Sequence, residues 1–309
     1  MMVSVQTGGM IPFWGAKDGY RMIREAGFDG IDWGLDESWT RSEIQRGILS
    51  PCVFTQPLDK VYEFYREELE QIEENGLRIV QAHAPFPPYV KDFPVLNGYA
   101  VEVYRQCIRF CDSLGIPLLV VHGISLALDD RTRTEASVDE MNRSLYEGLI
   151  PVLRESGVTV CLENLFTRYG RHIVEGTCSD PHSACALIDS LNGQAGREAF
   201  AFCVDTGHLN IVGKNQRSYI QVMGSRIRAV HLHDNWGDDD RHLAPYAGDI
   251  VWRDVIGGLR DIGYRGSMNF ETHQQVALSR VDRDMVPILL RTICETGRVF
   301  SQWMEHGAP

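Results

Sequence analysis

Six stretches of the chain end an apolar run on a residue that can hold a metal ion or move a proton. They are Gln81-Ala82-His83, Val121-His122, Leu162-Glu163-Asn164, Val204-Asp205-Thr206-Gly207-His208, Val230-His231-Leu232-His233-Asp234 and Phe270-Glu271-Thr272-His273. Among them Glu163, Asp205, His231 and Glu271 make a donor set for one hard or borderline divalent cation. The oxygen-rich set favours Mn²⁺ or Mg²⁺ and the imidazole admits Zn²⁺ or Co²⁺, with Mn²⁺ preferred. Asp205-x-x-His208 adds a donor one helical turn on, and Asp240-Arg241-His242 adds another pair, so His208, Asp240 and His242 are candidate ligands of a second metal. One His or Glu at such a place is usually a hydrogen-bonded rim residue, but six in succession are hard to ascribe to solvation. His172, His182 and His306 lie off the pattern and read as structural. His233 and His273 alternate past His231 and Glu271, so they are expected to point outward or to support the ligands from behind.

The elements that must position these residues are read from a repeated alternation of short apolar runs with longer amphipathic segments, the pattern of a parallel sheet wrapped by helices. Strands are predicted at Val3 to Gln6, Phe28 to Trp33, Leu77 to His83, Pro117 to His122, Val158 to Glu163, Ala201 to Asp205, Ile227 to Leu232 and Ser267 to Glu271. Eight such rounds predict a single (β/α)8 barrel over residues 1–309. Leu58, Val61, Tyr65, Leu69 and Ile72 recur at helical spacing, and Asn75-Gly76 stops that helix. Gly27, Gly115, Gly157 and Gly263 mark similar stops just before strands. Longer polar segments, 34–58, 123–136, 166–180 and 234–250, all come after strand C-termini, the face on which barrel enzymes build their sites.

Composition narrows the partners. The chain of 309 residues carries a formal charge of -12, which repels phosphate backbones and disfavours nucleic acid as a partner. The eight cysteines contain no CxxC pair, several sit inside apolar runs, and the N-terminus lacks a basic and apolar leader, so a reducing cytoplasm is expected. No apolar run is long enough to span a membrane. Pro85-Phe86-Pro87-Pro88-Tyr89 suits either a rigid connection or a lid with an apolar wall. Trp14, Trp33, Trp39, Trp236 and Trp252 are split between core packing and stacking on a sugar ring.

At these motifs the sequence resembles the xylose-isomerase-like TIM barrel superfamily, in particular its sugar phosphate isomerase/epimerase group, over essentially its whole length. The best segments are His83-Ala84-Pro85-Phe86, Leu162-Glu163-Asn164, Val204 to His208, His231 to Asn235, Asp240 to Leu243 and Gly248 to Trp252. The resemblance implies that Glu163, Asp205, His231 and Glu271 hold one metal, while His83, His122, His208, Arg241 and His242 lie near the substrate. The related apurinic-site endonuclease branch adds metal ligands matching His83, His122, His208, Asp240 and His242, so all nine positions are filled here. Relatives often show Pro-Gly-x-Gly where this chain has Pro245-Tyr246-Ala247-Gly248.

The expected function is a divalent-metal-dependent isomerase or epimerase of carbohydrate metabolism, acting on a small sugar or sugar phosphate by proton transfer through a metal-bound enediolate. Glu163 and Glu271, on nonadjacent strands, would remove and return the proton as catalytic acid and base. Loss of a leaving group from the same intermediate would make it a lyase or dehydratase on a keto-sugar or inosose. A multinuclear zinc apurinic-site endonuclease is the second chemistry, and a sugar-binding barrel that keeps only the scaffold is the third. A homo-oligomer is left open.

Overall fold

The computed structural model describes residues 1–36, 39–48, 52–91, 93–130 and 134–308. Its principal strands are β1 (Val3–Gln6), β2 (Gly30–Gly34), β3 (Arg78–His83), β4 (Leu118–Val120), β5 (Thr159–Glu163), β6 (Phe200–Asp205), β7 (Ile227–His231) and β8 (Met268–Phe270). They form one eight-stranded sheet in the order β8-β1-β2-β3-β4-β5-β6-β7, with helices between successive strands, and the fold is the (β/α)8 barrel. Each strand is buried on both faces, which is why it reads in the sequence as an apolar run rather than an alternation. No described helix is long and apolar enough to cross a membrane.

The chain divides into two compact units, 1–33 with 66–80 and 203–309, and 34–65 with 81–202. In the first, β1 pairs in parallel with β8 through Val3 with Met268 and Val5 with Phe270, and with β2 through Val5 with Ile31. A parallel bridge between Leu232 and Phe270 joins the end of β7 to β8. The amphipathic helix Val286–His306 packs on this sheet at Gly297, where a Cβ would lie 2.5 Å from Val3 Cγ1 and 2.7 Å from the Phe270 ring. Arg298 on that helix clamps Asp29 with two hydrogen bonds of 2.6 and 3.0 Å, and Asp29 also accepts the Val3 N–H at 2.8 Å. Burial pushes the Asp29 carboxyl up, but the bonds from Arg298 and Val3 outweigh it and hold it below its ordinary value.

In the second unit β4 pairs in parallel with β3 and β5. The loop leaving β4 is held by buried Asn142, whose amide accepts from Ile124 N at 2.7 Å and donates to Ile124 O at 2.9 Å. Segment 166–180, expected only as a polar loop, contains an antiparallel hairpin, Phe166–Tyr169 with His172–Glu175, turned at left-handed Gly170. The predicted glycine stops hold at Gly27, Gly76, Gly115 and Gly263, all with positive φ. Gly157 is not left-handed, and its N–H is taken up by Asp112 Oδ1 at 2.7 Å instead.

Candidate metal centre

The first unit gathers most of the candidate ligands. Asp205 ends β6 and caps the helix Thr206–Ile211, its Oδ1 accepting the His208 N–H at 2.6 Å. Its Oδ2 lies 2.9 Å from His233 Nε2 and 3.9 Å from His231 Nδ1. His231 ends β7, and its Nδ1 is 3.2 Å from Glu271 Oε2, while its Nε2 is 3.1 Å from Asp32 Oδ2. Asp205, His231 and Asp32 are fully buried. The loop after β7 adds Asp240, whose Oδ2 sits 3.0 Å from His242 Nε2 and 3.4 Å from His208 Nε2. Burial would raise the Asp240 carboxyl, but the charges of His208 and His242 hold it well below the usual carboxylate range. Burial likewise disfavours a charged His242, yet Glu271 and Asp240 raise it to about 9.

This loop folds around Asp234. Its Oδ1 accepts from Asn235 N at 3.0 Å and Ile250 N at 3.1 Å, and its Oδ2 from Tyr246 N and Trp252 Nε1, both at 2.9 Å. Gly248 lies against this hub, where a Cβ would meet Asn235 O at 2.3 Å. Tyr246 in the same loop has a left-handed φ of 70°. A left-handed φ at this non-glycine residue costs about 1 to 2 kcal/mol in backbone energy.

The second unit gathers His83, His122 and Glu163 at the ends of β3, β4 and β5. His122 Nε2 is 3.0 Å from both His83 Nε2 and Glu163 Oε2. His83 Nδ1 faces the Ala84 carbonyl at 2.9 Å and must donate to it, which leaves the Nε2 lone pair of the neutral ring directed at the cluster. Phe86 of the proline-rich loop covers these rings, its centroid 5.4 Å from His83 and 4.7 Å from His122.

Of the residues singled out in the sequence, the structure thus brings Asp205, His208, His231, Asp240, His242 and Glu271 together in one unit, and His83, His122 and Glu163 together in the other. Arg241 is tied to Asp238 through hydrogen bonds of 2.8 and 2.5 Å at the exposed side of its loop. His233 departs from the outward position that strand alternation allowed. It is fully buried, hydrogen-bonded to Asp205, and stacked on His242 with centroids 4.2 Å apart. The reason is that β7 ends at His231, so the two-residue alternation no longer governs the residues beyond it. His273 lies tilted by 36° against His242 at 4.0 Å, also beyond its strand. Burial, then the charges of His242 and His233, push His273 well below the ordinary imidazole value. Among the tryptophans, Trp33, Trp39 and Trp252 are core, Trp236 is exposed, and Trp14 lies under the Arg283 guanidinium at 4.0 Å. Sequence reasoning missed Asp32, although a lone carboxylate in Gly30-Ile31-Asp32-Trp33 was a visible signal.

The chemistry of these donors fits a divalent metal. His242 Nδ1 donates to the Glu271 carbonyl at 3.0 Å and its Nε2 faces Asp240 Oδ2 at 3.0 Å, so a cation that displaces the Nε2 hydrogen would meet a lone pair and a carboxylate together. Asp240 Oδ1 and His233 Nδ1 are buried without a hydrogen-bond partner among the described residues. Orphaned buried polar atoms beside carboxylates are costly, and a cation among them would relieve that cost. Ligand atoms within 4.8 Å of one another occur in the sets His83, His122, Glu163; Asp205, His208, His233; and His233, His242, Glu271.

A family model described as xylose isomerase-like TIM barrel matches residues 20–287, and the chain belongs to this family. The uncharacterized protein y4fM of Sinorhizobium fredii is 25% identical over 271 residues, 84% of this chain and 81% of that one. A D-psicose 3-epimerase of Enterocloster bolteae is 28% identical over 165 residues, 52% of this chain and 48% of that one. The solved structure of a D-tagatose 3-epimerase-like protein is similar at a TM-score of 0.68 and 20% identity, over 99% of this chain and 98% of that one.

Proposed function

We propose that the protein is a divalent-metal-dependent isomerase or epimerase of a ketose or ketose phosphate. The observation that carries this reading is the convergence of Asp205, His231 and Glu271, with the His231 Nδ1 only 3.2 Å from a Glu271 carboxylate oxygen. With Glu163 from the end of β5, they are the residues that would hold the ion, and Mn²⁺ suits three carboxylates and one imidazole. A bound divalent cation would chelate adjacent carbonyl and hydroxyl oxygens and lower the cost of an enediolate. The similarity to a D-psicose 3-epimerase supports a ketose as the substrate class.

In this reading one of Glu163 and Glu271 takes the proton from the carbon next to the carbonyl and the other returns it. Return to the opposite face of the same carbon gives an epimer, and return to the neighbouring carbon gives an isomer. Expulsion of a hydroxyl in place of reprotonation would make the same groups a dehydratase. His83 and His242 would accept substrate hydroxyl hydrogens at Nε2, with His122 and His208 beside them, and Phe86 would shield the exchanging proton from water. The test is turnover of a panel of ketoses, ketose phosphates and inososes by the metal-replete protein in D₂O. Deuterium is expected at the carbon next to the carbonyl, and turnover without wash-in would refute proton transfer. Glu163→Gln and Glu271→Gln should each lower turnover by at least about 10³-fold.

A second reading is favoured by the several donor sets, two of which share His233, which suit a multinuclear zinc site and hydrolysis at abasic DNA. Elemental analysis separates the two: about one manganese per chain supports the sugar enzyme, and about three zinc ions support the nuclease.

A further inference from the structure

Asp32 is a carboxylate in the middle of a buried strand, and the sequence motifs give it no role. It is fully buried, as are His231, Asn269 and Ser4, with which it forms a polar network across four strands of the first unit. The Asn269 amide donates from Nδ2 to Asp32 Oδ2 at 3.0 Å. Its orientation is set from the other side, where Asn269 Oδ1 accepts the Ser4 hydroxyl at 2.9 Å, and Ser4 is in turn 2.7 Å from Ser267 Oγ. The same Asp32 Oδ2 lies 3.1 Å from His231 Nε2. A carboxylate can only accept, so the hydrogen in this contact belongs to His231 Nε2. In the neutral imidazole the lone pair is then on Nδ1, the atom 3.2 Å from Glu271 Oε2 and 3.9 Å from Asp205 Oδ2. Ring rotation and tautomer are both fixed from the side away from the candidate ligands.

We propose that Asp32 is the positioning residue of the centre: by accepting the Nε2 hydrogen of His231, and being itself held by Asn269 and Ser4, it aims the Nδ1 lone pair at the space shared with Glu271 and Asp205. This rests on the reading of His231, Asp205 and Glu271 as metal ligands. A carboxylate behind a ligating histidine fixes its tautomer and raises its basicity, and its loss commonly weakens metal binding by about 10- to 100-fold.

Two measurements test it, neither of which needs turnover. The first is ¹⁵N NMR of the metal-free wild-type chain labelled at histidine, with His231 assigned by its absence in His231→Gln. The Nε2–H tautomer is expected, and the Nδ1–H tautomer would overturn the proposal. The second is Co²⁺ titration of wild type, Asp32→Asn and Asp32→Ala, read calorimetrically and by the visible spectrum of the bound ion. Both variants should bind about 10- to 100-fold more weakly than wild type, and Asn269→Leu should weaken binding in the same direction. Equal affinity in folded Asp32→Asn and wild type would refute the role of Asp32 while leaving the metal reading intact. Failure of the wild type to bind Co²⁺ or Mn²⁺ would overturn both.

Discussion

Gly207 offers a way to disturb the histidine cluster without removing a single donor atom. A Cβ at this position would lie 1.9 Å from His233 Cε1 and 2.4 Å from Nδ1, so Gly207→Ala requires the ring to retreat by about 1.5 Å to reach ordinary contact. The ring has nowhere to go: His233 is fully buried, bonded to Asp205 at 2.9 Å along its edge and stacked on His242 at 4.2 Å. Overpacking of this kind costs about 1 to 3 kcal/mol, against which the better helix propensity of alanine returns up to about 1 kcal/mol. A net loss of about 1 to 2 kcal/mol is expected in urea unfolding of the metal-free protein. Mn²⁺ affinity by calorimetry should fall by about tenfold or more as the ring leaves Asp205. Gly193→Ala is the control, because a Cβ there meets nothing within 4 Å in the helix Pro181–Ala195, and it should stabilise by up to about 1 kcal/mol. If Gly207→Ala is as stable as Gly193→Ala and binds Mn²⁺ like wild type, the packed position of His233 is not what holds the cluster together.

Asp234→Asn puts an amide NH₂ against two of the four donors now bound by the carboxylate, and should cost about 3 kcal/mol in urea unfolding. Hydrogen exchange at Tyr246 and Ile250 should rise with it, and unchanged protection there would show that the loop is held by something else. The Asp29–Arg298 pair makes an acid-labile contribution: the folded carboxyl titrates below its unfolded value, so the stabilisation is complete above about pH 4 and is lost as pH falls through the folded value. Asp29→Asn should therefore be less stable than wild type by about 1 kcal/mol at pH 7, with the gap closing on acidification. A gap that widens toward low pH would reverse the assignment.

Most of the barrel was legible because its strands announce themselves as apolar runs, and each predicted strand lies within two residues of the observed one. The ligand motifs were legible for the same reason: His83, Glu163, Asp205 and His231 are the last residues of their strands, where an apolar run must give way to polar side chains. Of the two positions left open for His233, the outward one is not taken, because β7 ends before it, and its bond to Asp205 matches the supporting one. The hairpin at 166–175 escaped because its exposed faces carry Arg168, Tyr169, Arg171 and His172, although Thr167, Ile173 and Val174 around Gly170 held the signal. Asp32 escaped for a different reason. Its meaning lies in a partner 199 positions away, and no local pattern encodes that distance.

That distance also has a meaning in time. At about 5 to 20 residues per second, a ribosome needs roughly ten seconds to a minute to pass from Asp32 to Asn269. Until then the carboxylate of β2 lacks the amide, and for most of that time also the imidazole, that it faces in the finished molecule, and burying it alone would cost several kcal/mol. A nascent chain that collapses early must leave this strand wet or protonate it. A charge in the middle of an apolar strand thus opposes closure until the histidine that it faces is also in place.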